Sequence, residues 1–337
     1  MVGKINKSRH SNSKFDIELS IVTPCYNEEA TIRTCIERVA AIMSKSLPGV
    51  IYEHIITDNN SRDATVSIVR EICHLNPRVK LVVSNRNVGP FKNMYRGLEK
   101  AIGRAIVPML AADLQDPPEL IPQMYKLWLQ SSKTIFGQRL TREENFFLRL
   151  SRRVYYRAIQ LMSGGDYPVG VGEFMVVDQR IIRSILETKD YYPYIRGMVA
   201  LSSPDYLIIP YNWKRRRGGR SSNNFFRLFD QAINGLISTS RIPARISLII
   251  GFVIASLSLL YALFSLLYIV IARENLVAGI PTLIVTLTFL GGLILFFLGV
   301  IGEYVLAIHS QVRKLPEAFD IELVNFDTYN RSKIRDK

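Results

Sequence analysis

Two stretches of this chain, Ile246 to Ala272 and Leu276 to Gly302, contain no Asp, Glu, Lys, Arg or His over 27 residues each. At about 1.5 Å rise per residue a helix of that length reaches ~40 Å, more than the ~30 Å hydrocarbon core of a bilayer. Buried helices of water-soluble proteins rarely run so far without a charge, so the pair is expected to be two membrane helices. Lys214, Arg215, Arg216, Arg217, Arg220, Arg241 and Arg245 precede the first stretch, and Arg313 and Lys314 follow the second. The short connection between them offers Arg273, balanced by Glu274. The positive-inside rule therefore expects an inner (plasma) membrane, multi-pass protein whose large domain and both termini are cytoplasmic. No secretory signal is read at the polar, basic start of the chain.

Formal charge is +14, from 43 Lys+Arg against 29 Asp+Glu. Beside a membrane, attraction to anionic lipid heads and phosphate substrates explains that excess more simply than nucleic acid does. The 48% apolar content excludes a disordered chain. Three cysteines (Cys25, Cys35, Cys73), odd in number and without metal spacing, read as small buried hydrophobes.

Over the first 135 or so residues, short apolar runs alternate with helical patterns. Strands are expected at Leu19–Tyr26, His54–Asp58, Val79–Ser84 and Ala105–Leu110, and helices at about 29–43, 63–73, 94–101 and 118–130. That alternation predicts βαβ units and a mostly parallel sheet covered on both faces. Ligands of such sheets bind beyond the carboxyl ends of the strands. There the sequence sets Asn27 and Glu28, Asp58, Asn85 and Asn87, and Asp113. Any one of these could serve only as a helix cap; four groups converging on one edge point to a binding site. Neither G-x-G-x-x-G nor G-x-x-x-x-G-K-S/T occurs, which argues against dinucleotide dehydrogenases and P-loop nucleotidases. Basic, aromatic stretches at 143–162 and 223–240 suit amphipathic helices, the second lying in the membrane interface.

Several motifs together resemble the polyisoprenyl-phosphate glycosyltransferases of glycosyltransferase family 2, above all bactoprenol-phosphate glucosyltransferases, and also dolichyl-phosphate mannose synthases. They are VTPCYNEE (22–29), DNNSRDAT (58–65), SNRNVG (84–89), ADLQDPPELIP (112–122), RGMVA (196–200) and IGEYV (301–305). The resemblance implies a GT-A fold, an α/β Rossmann-like domain, carrying interfacial helices and two transmembrane helices. Its expected organisation is a disordered basic tail (1–17), the GT-A domain (18–222), a juxtamembrane amphipathic helix (223–245), a two-helix membrane domain (246–308) and a cytoplasmic tail (309–337).

The resemblance further implies inverting transfer of one sugar from a nucleotide-sugar, a UDP-linked hexose, to a membrane polyprenyl phosphate such as undecaprenyl phosphate. By family position, Pro24, Tyr26, Glu28, Asp58 and Asn87 would bind the nucleotide. Asp113 with Gln115 would hold Mg2+ or Mn2+ on the diphosphate, and Glu173 would orient the acceptor or a sugar hydroxyl. Arg216, Gly219 and Ser221 match the family's Arg-x-x-Gly-x-Ser; Arg216, with Arg215, Arg217, Arg220 and Ser221, would receive the lipid phosphate. The residue chemistry agrees with these roles. A hard cation on a diphosphate needs only one or two carboxylates from the protein, and guanidinium forks match phosphate oxygens. Glu303, near the end of the second stretch, is expected to find a structural partner between protomers of a homo-oligomer or at the membrane interface, because an ionisable group near a membrane interior is costly alone.

The chain departs from the family pattern at three places. Ala111 stands where members carry the first acid of Asp-x-Asp. Gly170, Glu173 and Met175 stand in the Asp-x-Gly-Asp-Phe-Arg segment, and Pro90 follows the NVG glycine where a lysine is usual. The alternative reading is therefore a weak or inactive paralogue acting as a membrane scaffold. A processive polysaccharide synthase fits less well, since neither Trp128 nor Trp213 lies in a Gln-x-x-Arg-Trp motif.

Overall fold

The computed structural model describes residues 17–140, 168, 170–190, 194–212, scattered positions within 249–260, 280–313 and 318–326. The chain divides into two compact units, one built from Met1–Ser151, Tyr167–Ser222 and Glu317–Lys337, the other from Arg152–Asp166 and Asn223–Pro316.

The first unit is an α/β domain. Its strands are β1 (Leu19–Cys25), β2 (Tyr52–Asp58), β3 (Val79–Ser84), β4 (Ala105–Val107), β5 (Thr134–Arg139), β6 (Val171–Asp178), β7 (Tyr206–Tyr211) and β8 (Asp320–Val324). They form one sheet in the order β7-β5-β6-β4-β1-β2-β3-β8. β6 and β8 run against the others, so the sheet is mixed and mostly parallel. β1 and β2 are buried almost throughout because helices cover both faces, and polar residues in them, such as Ser20, Thr23, Glu53 and His54, are buried along with the apolar ones.

Helices α1 (Ile32–Ser46), α2 (Thr65–Leu75) and α4 (Ile121–Ser131) cover one face, where Ile32, Cys35, Ile36, Val39, Val69 and Trp128 enter the core. Helix α3 (Pro90–Lys100) lies on the other face, with α5 (Gln179–Glu187) beside it, while α6 (Ile195–Ser202) packs near β6 and α5. Gly97 lets α3 approach closely: a Cβ there would fall 2.5 Å from Val22 Cγ1 and 2.8 Å from Thr57 Cγ2. α3 begins four residues earlier than the sequence pattern suggests, because Pro90 suits the first helical position. β4 is shorter than expected: Pro108 has no N–H to offer the ladder. All three cysteines are buried and free, and burial pushes the Cys73 thiol up to about 12, as expected of inert packing residues.

His54 is buried in β2, its Nε2 2.8 Å from Thr23 Oγ1, and burial holds its pKa down at about 3. The unfolded chain therefore takes up one more proton than the folded chain between about pH 3 and 6.5. Stability from this site is fully present above pH 6.5 and is lost as pH falls toward 3, by about 1.4 kcal/mol per unit within that window. Unfolding midpoints of the parent and His54→Gln, measured across that range, should differ by the slope of one proton.

In the second unit, α7 (Ile280–Arg313) runs 34 residues. Within it Phe289–Arg313 is the one helix among the described residues long and apolar enough to cross a membrane. Leu283, Leu287, Phe289, Leu295 and Phe296 on this helix are exposed. The first expected span lies largely outside the described residues. So do the stretches 143–162 and 223–240.

Candidate active site

The loops after β1 and β2 are locked together. Asn27 N–H donates to Ser61 Oγ (2.9 Å), Arg62 N–H to Asn27 Oδ1 (2.8 Å) and Glu28 N–H to Thr65 Oγ1 (2.9 Å). Glu29 and Asp63 reach across reciprocally: Glu29 N–H donates to Asp63 Oδ2 (3.2 Å), and Ala64 N–H to Glu29 Oε2 (2.9 Å). The YNEE and DNNSRDAT motifs are thus two halves of one structure, and Asn27 and Asn60 both have the positive φ that asparagine tolerates. Between these loops lies a cavity of 440 Å³ lined by Asn27, Glu28, Glu29, Thr31, Arg62 and Asp63.

Asp58 ends β2 fully buried, and its Oδ2 accepts from the Ser61 N–H at 2.9 Å. Burial raises its pKa, and the Ser61 hydrogen bonds partly offset that. Two buried thiols near these loops are shifted upward. Cys25 is shifted up first by burial and then by Asp58, Glu28 and Asp63. Cys35 rises to about 12, first by burial and then by Asp113 and Glu28. Glu28 and Asp63 line the cavity between the two loops, and Asp58 is buried at the end of β2. Tyr26 is 41% exposed beside them, and Pro24 sits in β1 opposite Thr57.

Asn87 braces its own loop. Its Oδ1 accepts from Asn59 Nδ2 (2.9 Å) and from the Gly89 N–H (3.0 Å), while Asn59 Oδ1 accepts from the Val88 N–H (2.9 Å). Asn85 points elsewhere: its Oδ1 accepts from the Phe319 N–H.

Asp113 Oδ1 accepts from the Gln115 N–H at 3.1 Å, a tight turn that forces Leu114 to φ 57°. A bulky residue in that region is strained, and such strain gathers at functional sites. Among the described residues no three His, Cys, Asp or Glu side chains converge as a metal cage. One strand-end carboxylate and a neighbouring amide are nevertheless all-oxygen donors, a set that fits Mg2+ or Mn2+ already carried on a diphosphate.

Beneath this turn is a cluster that motif reading missed. Asp116, 2% exposed, accepts from Arg139 Nη2 at 3.0 and 3.2 Å and from the Tyr211 hydroxyl, while Arg139 Nε donates to Tyr211 at 3.1 Å. Burial alone would lower the Arg139 pKa; Asp116, Tyr211 and Glu173 outweigh it and raise it. Glu173 Oε1 also lies 3.9 Å from Arg196 Nη1, so the RGMVA arginine stands beside it. Asp116 was visible only as part of ADLQDPPE; Arg139 and Tyr211 carry no motif signal and become partners through the pairing of β5 with β7. Arg215, Arg216, Arg217, Arg220 and Ser221 lie outside the described residues.

A family model described as "Glycosyl transferase family 2" matches residues 20–186. The chain is 30% identical over 301 residues to the uncharacterized glycosyltransferase YkcC of Bacillus subtilis, covering 89% of this chain and 92% of that one. It is 29% identical over 304 residues to the prophage bactoprenol glucosyl transferase homolog of Escherichia coli K12, covering 89% and 97%. Among solved structures, glucosyl-3-phosphoglycerate synthase of Mycobacterium tuberculosis, in complex with Mn2+, UDP and glucosyl-3-phosphoglycerate, aligns at TM-score 0.48 and 15% identity over 64% of this chain and 76% of that one.

Proposed function

The chain belongs to glycosyltransferase family 2, and from that premise we propose that it transfers one sugar, with inversion, from a nucleotide-sugar to polyprenyl phosphate at the inner face of the plasma membrane. The observation that carries this reading is the match over 89% of the chain to a relative named a bactoprenol glucosyl transferase homolog, which takes in the apolar segments as well as the α/β domain.

In the reaction the bond from the anomeric carbon to the diphosphate breaks. A new bond forms to an oxygen of the lipid phosphate, and the nucleoside diphosphate leaves. Pro24, Tyr26, Glu28, Asp58 and Asn87 hold the base and ribose at the edge where β1 to β3 end. Asp113 and Gln115 would hold Mg2+ or Mn2+, whose positive charge would stabilise the leaving diphosphate. The acceptor is a phosphate monoester with a second pKa near ~6, so it reaches the site largely ionised and needs no strong base. Glu173, kept in place by Arg139 and Arg196, orients the acceptor or a sugar hydroxyl. Arg215, Arg216, Arg217 and Arg220, with Ser221, receive the lipid phosphate.

Connectivity supports two membrane crossings. The chain enters the sheet before the apolar segments, and after α7 it returns to the same sheet as β8. In this reading Ile246–Ala272 and α7 each cross once, which keeps β8 on the same side of the bilayer as the rest of its sheet.

Purified full-length protein with Mg2+ or Mn2+ should move radiolabel from one of a panel of nucleotide-sugars into undecaprenyl phosphate, read as organic-extractable counts. A panel of UDP-, GDP- and dTDP-sugars that yields no labelled lipid overturns the reading.

A further inference from the structure

The chain that leaves α7 comes back to the loop that carries Asn87. The Phe319 N–H donates to Asn85 Oδ1 at 3.0 Å, and the Asn85 N–H donates to the Phe319 carbonyl at 3.1 Å. One residue later Asp320 opens β8 and accepts from Arg96 and from Lys100 Nζ (3.0 Å), both on α3. Arg96 is 7% exposed, and its Nε and Nη1 are buried with no hydrogen-bond partner among the described residues. Asp320 therefore supplies the counter-charge that a buried guanidinium requires. Two residues further, Glu322 takes Arg70 of α2 in a two-bonded pair at 2.8 and 2.7 Å.

From its other side the same loop is held by Asn59, through Asn87 Oδ1 and the Val88 N–H. Residues 85–89 thus run between β2 and the segment entering β8, and Gly89, at φ 86°, passes them into α3. A loop of this kind has no ladder of its own. Holding it before a ligand arrives removes an ordering cost that binding would otherwise bear.

We infer that Phe319 and Asp320 are positioning residues for the nucleotide: the strand that follows the membrane helix holds the Asn85–Gly89 loop and α3 in the conformation that binds the donor. The inference rests on the reading of Asn87 as a donor residue. It makes nucleotide affinity depend on a segment directly after α7, far in sequence from every nucleotide-binding motif.

The test uses the full chain in detergent micelles, titrated calorimetrically with UDP and with GDP in the presence of Mn2+, alongside Asn85→Ala, Asn85→Asp and Asp320→Asn. Asn85→Ala removes the acceptor for the Phe319 N–H and should weaken nucleotide binding about tenfold. Asn85→Asp keeps that acceptor and should stay within about twofold of the parent. Asp320→Asn should weaken binding at least about tenfold. In transfer assays the KM for the donor should rise, while kcat at saturating donor and the KM for polyprenyl phosphate hold; general loss of structure would not divide in that way. If Asp320→Asn does not fold, the two Asn85 variants decide. Folded Asn85→Ala protein that binds nucleotide as tightly as the parent overturns this inference alone. A parent that binds neither UDP nor GDP overturns the donor reading and the inference together.

Discussion

Replacing Asp113 with Asn is expected to slow sugar transfer roughly 100- to 1,000-fold, the loss that follows when one group stabilising a developing anion is removed. The unfolding midpoint should move by no more than about 0.5 kcal/mol. Asn is the informative substitution because it keeps an oxygen to accept from the Gln115 N–H, so the strained turn through Leu114 survives while the negative charge is lost. The measurement is the initial rate of label transfer to undecaprenyl phosphate, beside chemical denaturation of the same preparation. A variant that transfers at the parent's rate would remove Asp113 from the reaction.

The largest effect on stability should come from Asp116. Asp116→Ala strips the carboxylate from Arg139, whose side chain is 18% exposed, and should destabilise the α/β domain by about 3–5 kcal/mol, the cost of leaving a buried charge uncompensated. Tyr211→Phe removes two hydrogen bonds, one to that carboxylate and one from Arg139 Nε, and should cost about 2 kcal/mol. Urea denaturation of the detergent-solubilised chain, followed by tryptophan emission, distinguishes the two, since Trp128 is buried in this domain. Equal midpoints for Asp116→Ala and the parent would mean that the cluster carries no net stability. Because the cluster lies directly after Asp113 and Gln115 and reaches Glu173 through Arg139, transfer should also fall in Asp116→Ala protein that remains folded.

Much of the architecture was legible without coordinates. β1, β2 and β3 lie where short, largely apolar runs end in turn residues, because strands covered on both faces are dominated by apolar side chains. Glu28 and Asp58 follow or end β1 and β2 as the sequence pattern places them, whereas β4 stops at Val107, six residues before Asp113. The boundaries of β4 and α3 were less visible, as each is set at a proline whose effect depends on which neighbour needs its missing N–H. Asn85 shows the limit from the other side. Its type and place matched those of a ligand-binding residue, yet its side chain is committed to Phe319, 234 residues away.

What the sequence alone determined is what local chemistry decides: uncharged segments too long for a water-soluble core, strand and helix periods, and which residue types stand where strands end. Tertiary structure alone decided which distant groups neutralise one another. Asp116 met Arg139 and Tyr211, and Asp320 met Arg96, only after the sheet was assembled, the latter across 224 residues. The physical reason is that a buried charge requires a partner of opposite sign but does not specify where along the chain that partner lies. The order of strands in the sheet makes that choice.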